Sequence, residues 1–108
     1  MVDTLESAEV LTREQLVTKL RDLRASFANQ GVTSMTLFGS RARGDNRPDS
    51  DIDLMIDVDP MRKFSLLDLI GVAHTVEDQV RLPADIFMRR SLGSSLLATA
   101  KRDAIPVF

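Results

Sequence analysis

Gly39 and Ser40 stand ten residues ahead of Asp51-Ile52-Asp53, a spacing that pairs a phosphate-holding turn with a metal-holding pair of carboxylates. Gly39 lets the backbone approach an anion closely, and Ser40 brings a hydroxyl donor. If residues 40–43 begin a helical turn, free backbone N–H groups and the local dipole face the phosphate as well. Arg41 and Arg43 are placed to neutralise a triphosphate and a departing pyrophosphate. Asp51 and Asp53, two apart in a strand, point to one face roughly 6–7 Å apart. Left alone they repel, and at least one of them holds its proton more tightly. A divalent cation reverses this, since hard oxygen ligands from two carboxylates suit Mg2+. A third carboxylate would allow two ions about 3.5–4 Å apart, on either side of an in-line displacement. Asp85, in a segment that can form the next strand, is the candidate. The chemistry these residues could perform together is the movement of a nucleotidyl group.

Such a site needs elements to position it. Thr12 opens a helix with a capping box, Gln15 being its N3 partner, and Leu11 and Leu16 are spaced for a hydrophobic staple. Leu16, Leu20, Leu23 and Phe27 form one helical stripe, and Gly31 ends it. Residues 33–38 read as a strand, 39–48 as a turn stiffened by Pro48, and 51–58 as a second strand. Its alternation sets Ile52, Leu54, Ile56 and Val58 against Asp51, Asp53, Met55 and Asp57. Ser65 caps the next helix, with Leu66, Leu69, Ile70, Ala73, Val76 and Val80 as its expected core stripe. A third strand follows over 84–88, then a helix from Ser91 to about residue 101, and an extended tail over 104–108. Helices alternating with short strands predict an α/β fold: a small mixed three-stranded sheet, with room for a short fourth strand at the C-terminus, and helices packed against it. The first two strands should be antiparallel. The helical crossover between the second and third suits a parallel pair. Residues 1–10 are expected to be a flexible lead-in and 11–108 one domain.

Composition removes several alternatives. There is no cysteine, so disulfides and thiolate metal sites are out, and the single histidine, His74, excludes a His-rich zinc site. Oxygen-ligated Mg2+ or Mn2+ remains. Ser94 and Ser95 lack a base partner, which leaves a Ser-His-Asp hydrolase without support. A net charge of −2 argues against nucleic-acid binding through a broad basic surface. Arg89-Arg90 and Lys101-Arg102 read as a solvated basic edge. Residues 1–10 lack the basic start and apolar core of a signal peptide, and no run approaches the ~18 apolar residues of a membrane span, so a cytoplasmic location is expected.

The joint pattern resembles the signature of the DNA polymerase beta-like nucleotidyltransferases. More narrowly, Gly39-Ser40-Arg41-Ala42-Arg43-Gly44 followed by Pro48-Asp49-Ser50-Asp51-Ile52-Asp53-Leu54 resembles the minimal nucleotidyltransferases, the MntA-like antitoxins paired with HEPN-domain toxins. The resemblance runs from about Thr12 to the C-terminal tail and implies a nucleotidyltransferase fold. It implies that Asp51 and Asp53 bind metal, that Asp85 is a further ligand or the general base, and that Gly39 and Ser40 grip the triphosphate of ATP. It implies Mg2+-dependent transfer of AMP to a tyrosine of a HEPN ribonuclease toxin, with the two proteins in a hetero-oligomer. The chain itself has no tyrosine, which fits modification of a partner. With 108 residues taken up by the catalytic fold, the acceptor is expected to be presented by that partner. The alternatives are an antitoxin that acts by occlusion alone, and nucleotidyl transfer to a small molecule such as an aminoglycoside.

Overall fold

A computed structural model describes residues 11–108; the expected lead-in over 1–10 lies outside the described residues. Thr12 caps α1 (Arg13–Asp22) as its sequence requires: its hydroxyl accepts from the Gln15 amide at 3.1 Å, and the Gln15 side chain accepts from the Thr12 amide at 2.9 Å. The single helix expected up to Gly31 is instead two. At Leu23 the backbone departs from helical angles, at φ −94°, ψ 9°, and α2 (Arg24–Asn29) follows. Phe27 of α2 is fully buried and stacks against Phe108, with ring centroids 6.1 Å apart.

The sheet has the order β3-β2-β1-β4. β1 (Val32–Phe38) pairs antiparallel with β2 (Ile52–Val58) and, on its other edge, with the two residues of β4 (Ile105–Pro106). β2 pairs parallel with β3 (Ala84–Met88), the crossover between them being α4 (Leu66–Val80). The expected mixed sheet, with its short fourth strand, is therefore present. Between β1 and β2 lies a single helical turn, α3 (Ser40–Arg43), and α5 (Ser94–Arg102) precedes β4.

Register sorts the side chains into two faces. Met35, Leu37, Ile52, Leu54 and Ile56 are fully buried on the face covered by α1, α2 and α4, where they meet Leu16, Leu20, Phe27, Val72 and Val76. The opposite face carries Ser34, Thr36 and Phe38 of β1 opposite Asp57, Met55 and Asp53 of β2. Apolar burial on one side thus fixes where the carboxylates must point.

Two expectations change. In α4 the buried residues are Val72, Val76 and Val80, whereas Leu66 and Leu67 are 71% and 78% exposed. The helix has more apolar residues than one stripe can hold. Two candidate stripes share the same spacing, and contact with the sheet selects the one through Val72. The final helix begins at Ser94 rather than near Ser91. Arg89–Ser91 form a 3-10 turn, because Arg89 is tied back to Asp57 of β2 through Nε at 3.1 Å. Gly93 then caps α5 with no side-chain bond.

Ser65 closes a second capping box with Asp68, whose carboxylate accepts from the Ser65 amide at 2.8 Å. Ser65→Ala should cost about 1 kcal/mol of stability and lower the melting temperature by about 4–8 °C. Urea and thermal denaturation followed by circular dichroism measure both.

Candidate active site

One row of side chains crosses three strands at the same level of the open face: Phe38 on β1, Asp53 on β2 and Asp85 on β3. The Asp53↔Asp85 pairing is direct, so these carboxylates rise from neighbouring strands about 4.8 Å apart. Asp51 lies exposed just before β2, two positions earlier. One register step along, Met55 is fully buried on this same face. There Phe38 and Phe87 reach across β2 until their rings meet at 5.5 Å. This aromatic bridge beside the acidic row carries no signal in the sequence beyond the two phenylalanines themselves.

The chain leaves Phe38 through Gly39, at φ 77°, ψ −158°, a conformation essentially confined to glycine. A Cβ at Gly39 would overlap Oδ2 of Asp53 and lie 3.2 Å from its Cγ. The turn glycine and the strand carboxylate are therefore in contact. Gly39 O accepts from the amides of Ala42 and Arg43, both at 3.1 Å, which winds α3 directly over the strand end. Among the described residues the Ser40 hydroxyl has no hydrogen-bond partner and is available to a ligand.

The two arginines of the turn differ sharply. Arg43 is partly exposed, bonded through Nε to Asp45 at 3.0 Å and 3.7 Å from Asp103 beyond α5. These carboxylates, Asp45 first, raise its pKa. Arg41 is only 3% exposed. In place of the phosphate contact expected of it, its guanidinium donates to the carbonyls of Ser50 at 3.0 Å, Pro48 at 3.0 Å and Arg47 at 3.4 Å. Burial lowers its pKa, opposed by the charge of Asp49.

Electrostatics single out Asp53. Burial holds its pKa above the ordinary carboxylate value, the charges of Asp85 and then Asp51 push it further, and Arg43 alone opposes them. Among the described residues no three metal-binding side chains converge into a ready-made site. The donor set nonetheless fits a hard divalent cation: three oxygen-bearing side chains whose mutual repulsion at Asp53 only Arg43 offsets, and in part. Among the same residues, no helix is long and apolar enough to cross a membrane.

The chain is similar to known proteins in sequence and in fold. The family described as Nucleotidyltransferase domain matches residues 14–106. The chain is 33% identical over 104 residues to the protein adenylyltransferase MntA of Thermococcus cleftensis, covering 96% of each chain. A solved minimal nucleotidyltransferase superimposes with a TM-score of 0.75 at 31% identity, over 90% of this chain and 97% of that one. The fold is also that of the MNT antitoxin solved with a tri-AMPylated HEPN toxin of Shewanella oneidensis: TM-score 0.65 at 14% identity, over 90% of this chain and 72% of the other.

Because the folded state raises the Asp53 pKa, it binds that proton more tightly than the unfolded chain does. The charged side chain therefore costs stability, increasingly as pH climbs from the ordinary carboxylate value through the raised one. Asp53→Asn should melt higher than the parent at pH 7 in EDTA, and the gap should close as pH falls below about 4. Gly39→Ala should cost about 1–3 kcal/mol by forcing a strained φ and pushing the Asp53 carboxylate aside. Denaturant titration of that variant gives the value.

Proposed function

The chain belongs to the nucleotidyltransferase domain family, and we propose that it is an antitoxin that transfers AMP from ATP to a tyrosine hydroxyl of a HEPN-domain ribonuclease toxin. The reading is carried by the contact of the Gly39 turn with Asp53 and by the pairing of Asp53 with Asp85. Together they bring Gly39, Asp53 and Asp85 to one sheet end, a grouping that supports reading them as a phosphate turn, a cation ligand and a proton acceptor. The name of the Thermococcus relative, a protein adenylyltransferase, supports AMP as the group moved and a protein as its acceptor. The AMPylated HEPN toxin bound by the Shewanella antitoxin supports the class of partner. The absence of tyrosine from these 108 residues fits a tyrosine supplied by the partner.

In this mechanism the Gly39 turn and the Ser40 hydroxyl hold the β- and γ-phosphates, turning the α-phosphorus towards Asp53 and Asp85. Asp51 and Asp53 would hold Mg2+ or Mn2+, which when bound would supply charge neutralisation and Lewis-acid polarisation of the α-phosphate. Asp85 accepts the proton of the tyrosine hydroxyl as its oxygen bonds to the α-phosphorus. The bond from that phosphorus to the bridging oxygen breaks, and pyrophosphate leaves past Ser40 and Arg43. The toxin ends as an AMP ester, and the antitoxin is restored when Asp85 passes its proton to solvent or to the departing pyrophosphate. Holding the reactants in line beside Asp85 removes much of the entropic part of the barrier.

Occlusion without catalysis keeps one observation in its favour: Met61, Leu66 and Leu67 stand exposed, as a binding surface requires. Two measurements separate the readings. With labelled ATP, Mg2+ and the purified product of the neighbouring gene, label should enter that protein, and Asp53→Asn should slow transfer roughly 10³-fold. In cells, Asp51→Ala/Asp53→Ala should fail to neutralise the toxin. Full protection by that double variant would make binding sufficient and catalysis dispensable.

A further inference from the structure

We propose that Arg41 is a positioning residue, which fixes Asp51 relative to the phosphate turn from inside the loop and does not itself touch phosphate. The inference rests on the transfer reaction proposed above and adds a residue that acts on it indirectly. Its ground is the geometry of residues 40–51. Arg41 belongs to α3, next to Ser40, so its backbone is part of the turn that would face the triphosphate. Its side chain runs the other way, under the loop. Nε donates to Ser50 O and Nη2 to Pro48 O and Arg47 O, and with 3% of the residue exposed little of the guanidinium is left to a ligand.

The Ser50 carbonyl is half of the peptide unit that ends in Asp51. Fixing its direction therefore fixes the plane from which the Asp51 side chain leaves the backbone. The rest of the loop is closed on itself. The Arg47 amide donates to Ser50 Oγ at 2.8 Å, and the Ser50 amide donates back to Arg47 O at 3.1 Å. The resulting ring aims its carbonyls inward, and only a long, forked, always-charged donor can satisfy several of them together. From Asp51 the chain enters β2 at once, with the Ile52 amide held by Pro83 O at 2.9 Å. One buried side chain thus couples the anion turn to the first carboxylate of the metal pair. A lysine would keep the charge and lose the fork.

The test compares Arg41→Lys with the parent in the labelled-ATP assay, with Mg2+ and ATP varied separately. The expected result is a kcat about 10–100-fold lower and a correspondingly higher Mg2+ requirement, with the KM for ATP held within about twofold of the parent value. A KM for ATP raised about tenfold or more at unchanged kcat would make Arg41 a phosphate ligand and overturn the proposal; so would parent-like values throughout. Mn2+ binding by calorimetry reads the same effect without turnover, and should be about tenfold weaker in Arg41→Lys. A parent that binds Mn2+ but transfers nothing would count against the reaction alone, leaving this comparison to decide the role of Arg41. Should Arg41→Lys fail to fold, the parent decides by nitrogen NMR. The Arg41 Nε–H signal should be slow to exchange and should stay in place when AMP-PNP is added with Mg2+. Fast exchange, or a large shift on nucleotide binding, would overturn the inference.

Discussion

The absence of a side chain at Gly39 is the constraint on which the site depends. β1 and β2 are locked in a register that sets Phe38 opposite Asp53, so the residue after Phe38 must pass directly over the Asp53 carboxylate. A Cβ there has nowhere to go, and the backbone angles at that point exclude other residues independently. Two unrelated requirements, a turn geometry and a steric gap, meet in one position. Without them the anion-facing turn would stand clear of the carboxylates, and each half would be a common surface motif.

The two faces of the sheet divide the labour of folding and of chemistry. The helix-covered face holds Leu37, Leu54, Ile56 and their partners out of water and supplies the hydrophobic stabilisation. That burial sets the register, and the register sends Asp53 and Asp85 to the opposite face, where each charge disfavours the other. The site is thus strained electrostatically by a fold whose stability lies elsewhere. Ser34 and Arg89 relieve Asp57 on the same face by bonding to it, the Ser34 hydroxyl at 2.6 Å, and no such pair serves Asp53. The contrast between two aspartates on one strand separates the structural carboxylate from the poised one.

Features encoded within a few residues were legible in the sequence. The capping box at Thr12 and the cap at Ser65 rely on contacts three residues apart, and both formed where read; the Asp68 half of the second box was not read. The family was legible because the Gly39–Asp53 pattern that carries the resemblance lies in spacing, and the mixed sheet followed from the lengths of its connections. The features that were missed need the path of the whole chain. Nothing local tells Arg41 from Arg43, yet one is buried under the loop and the other lies in solvent between Asp45 and Asp103. The buried stripe of α4 was chosen by the sheet, between two stripes of equal spacing. The late start of α5 was set by a bond from Arg89 to a strand thirty-two residues earlier. Asp85 lies between these cases: the strand was readable, but its alignment with Asp53 required the parallel register.

Asp85 also sits on the outermost strand, β3, which has a neighbour on one side only. An edge of this kind is a template on which a second copy could add a strand and begin a growing aggregate. A carboxylate at the second position of a five-residue strand opposes such growth, since like charges brought side by side in a new ladder repel. Asp85 therefore guards this edge of the sheet against pairing with a second copy, and replacing it with an apolar residue would remove that safeguard.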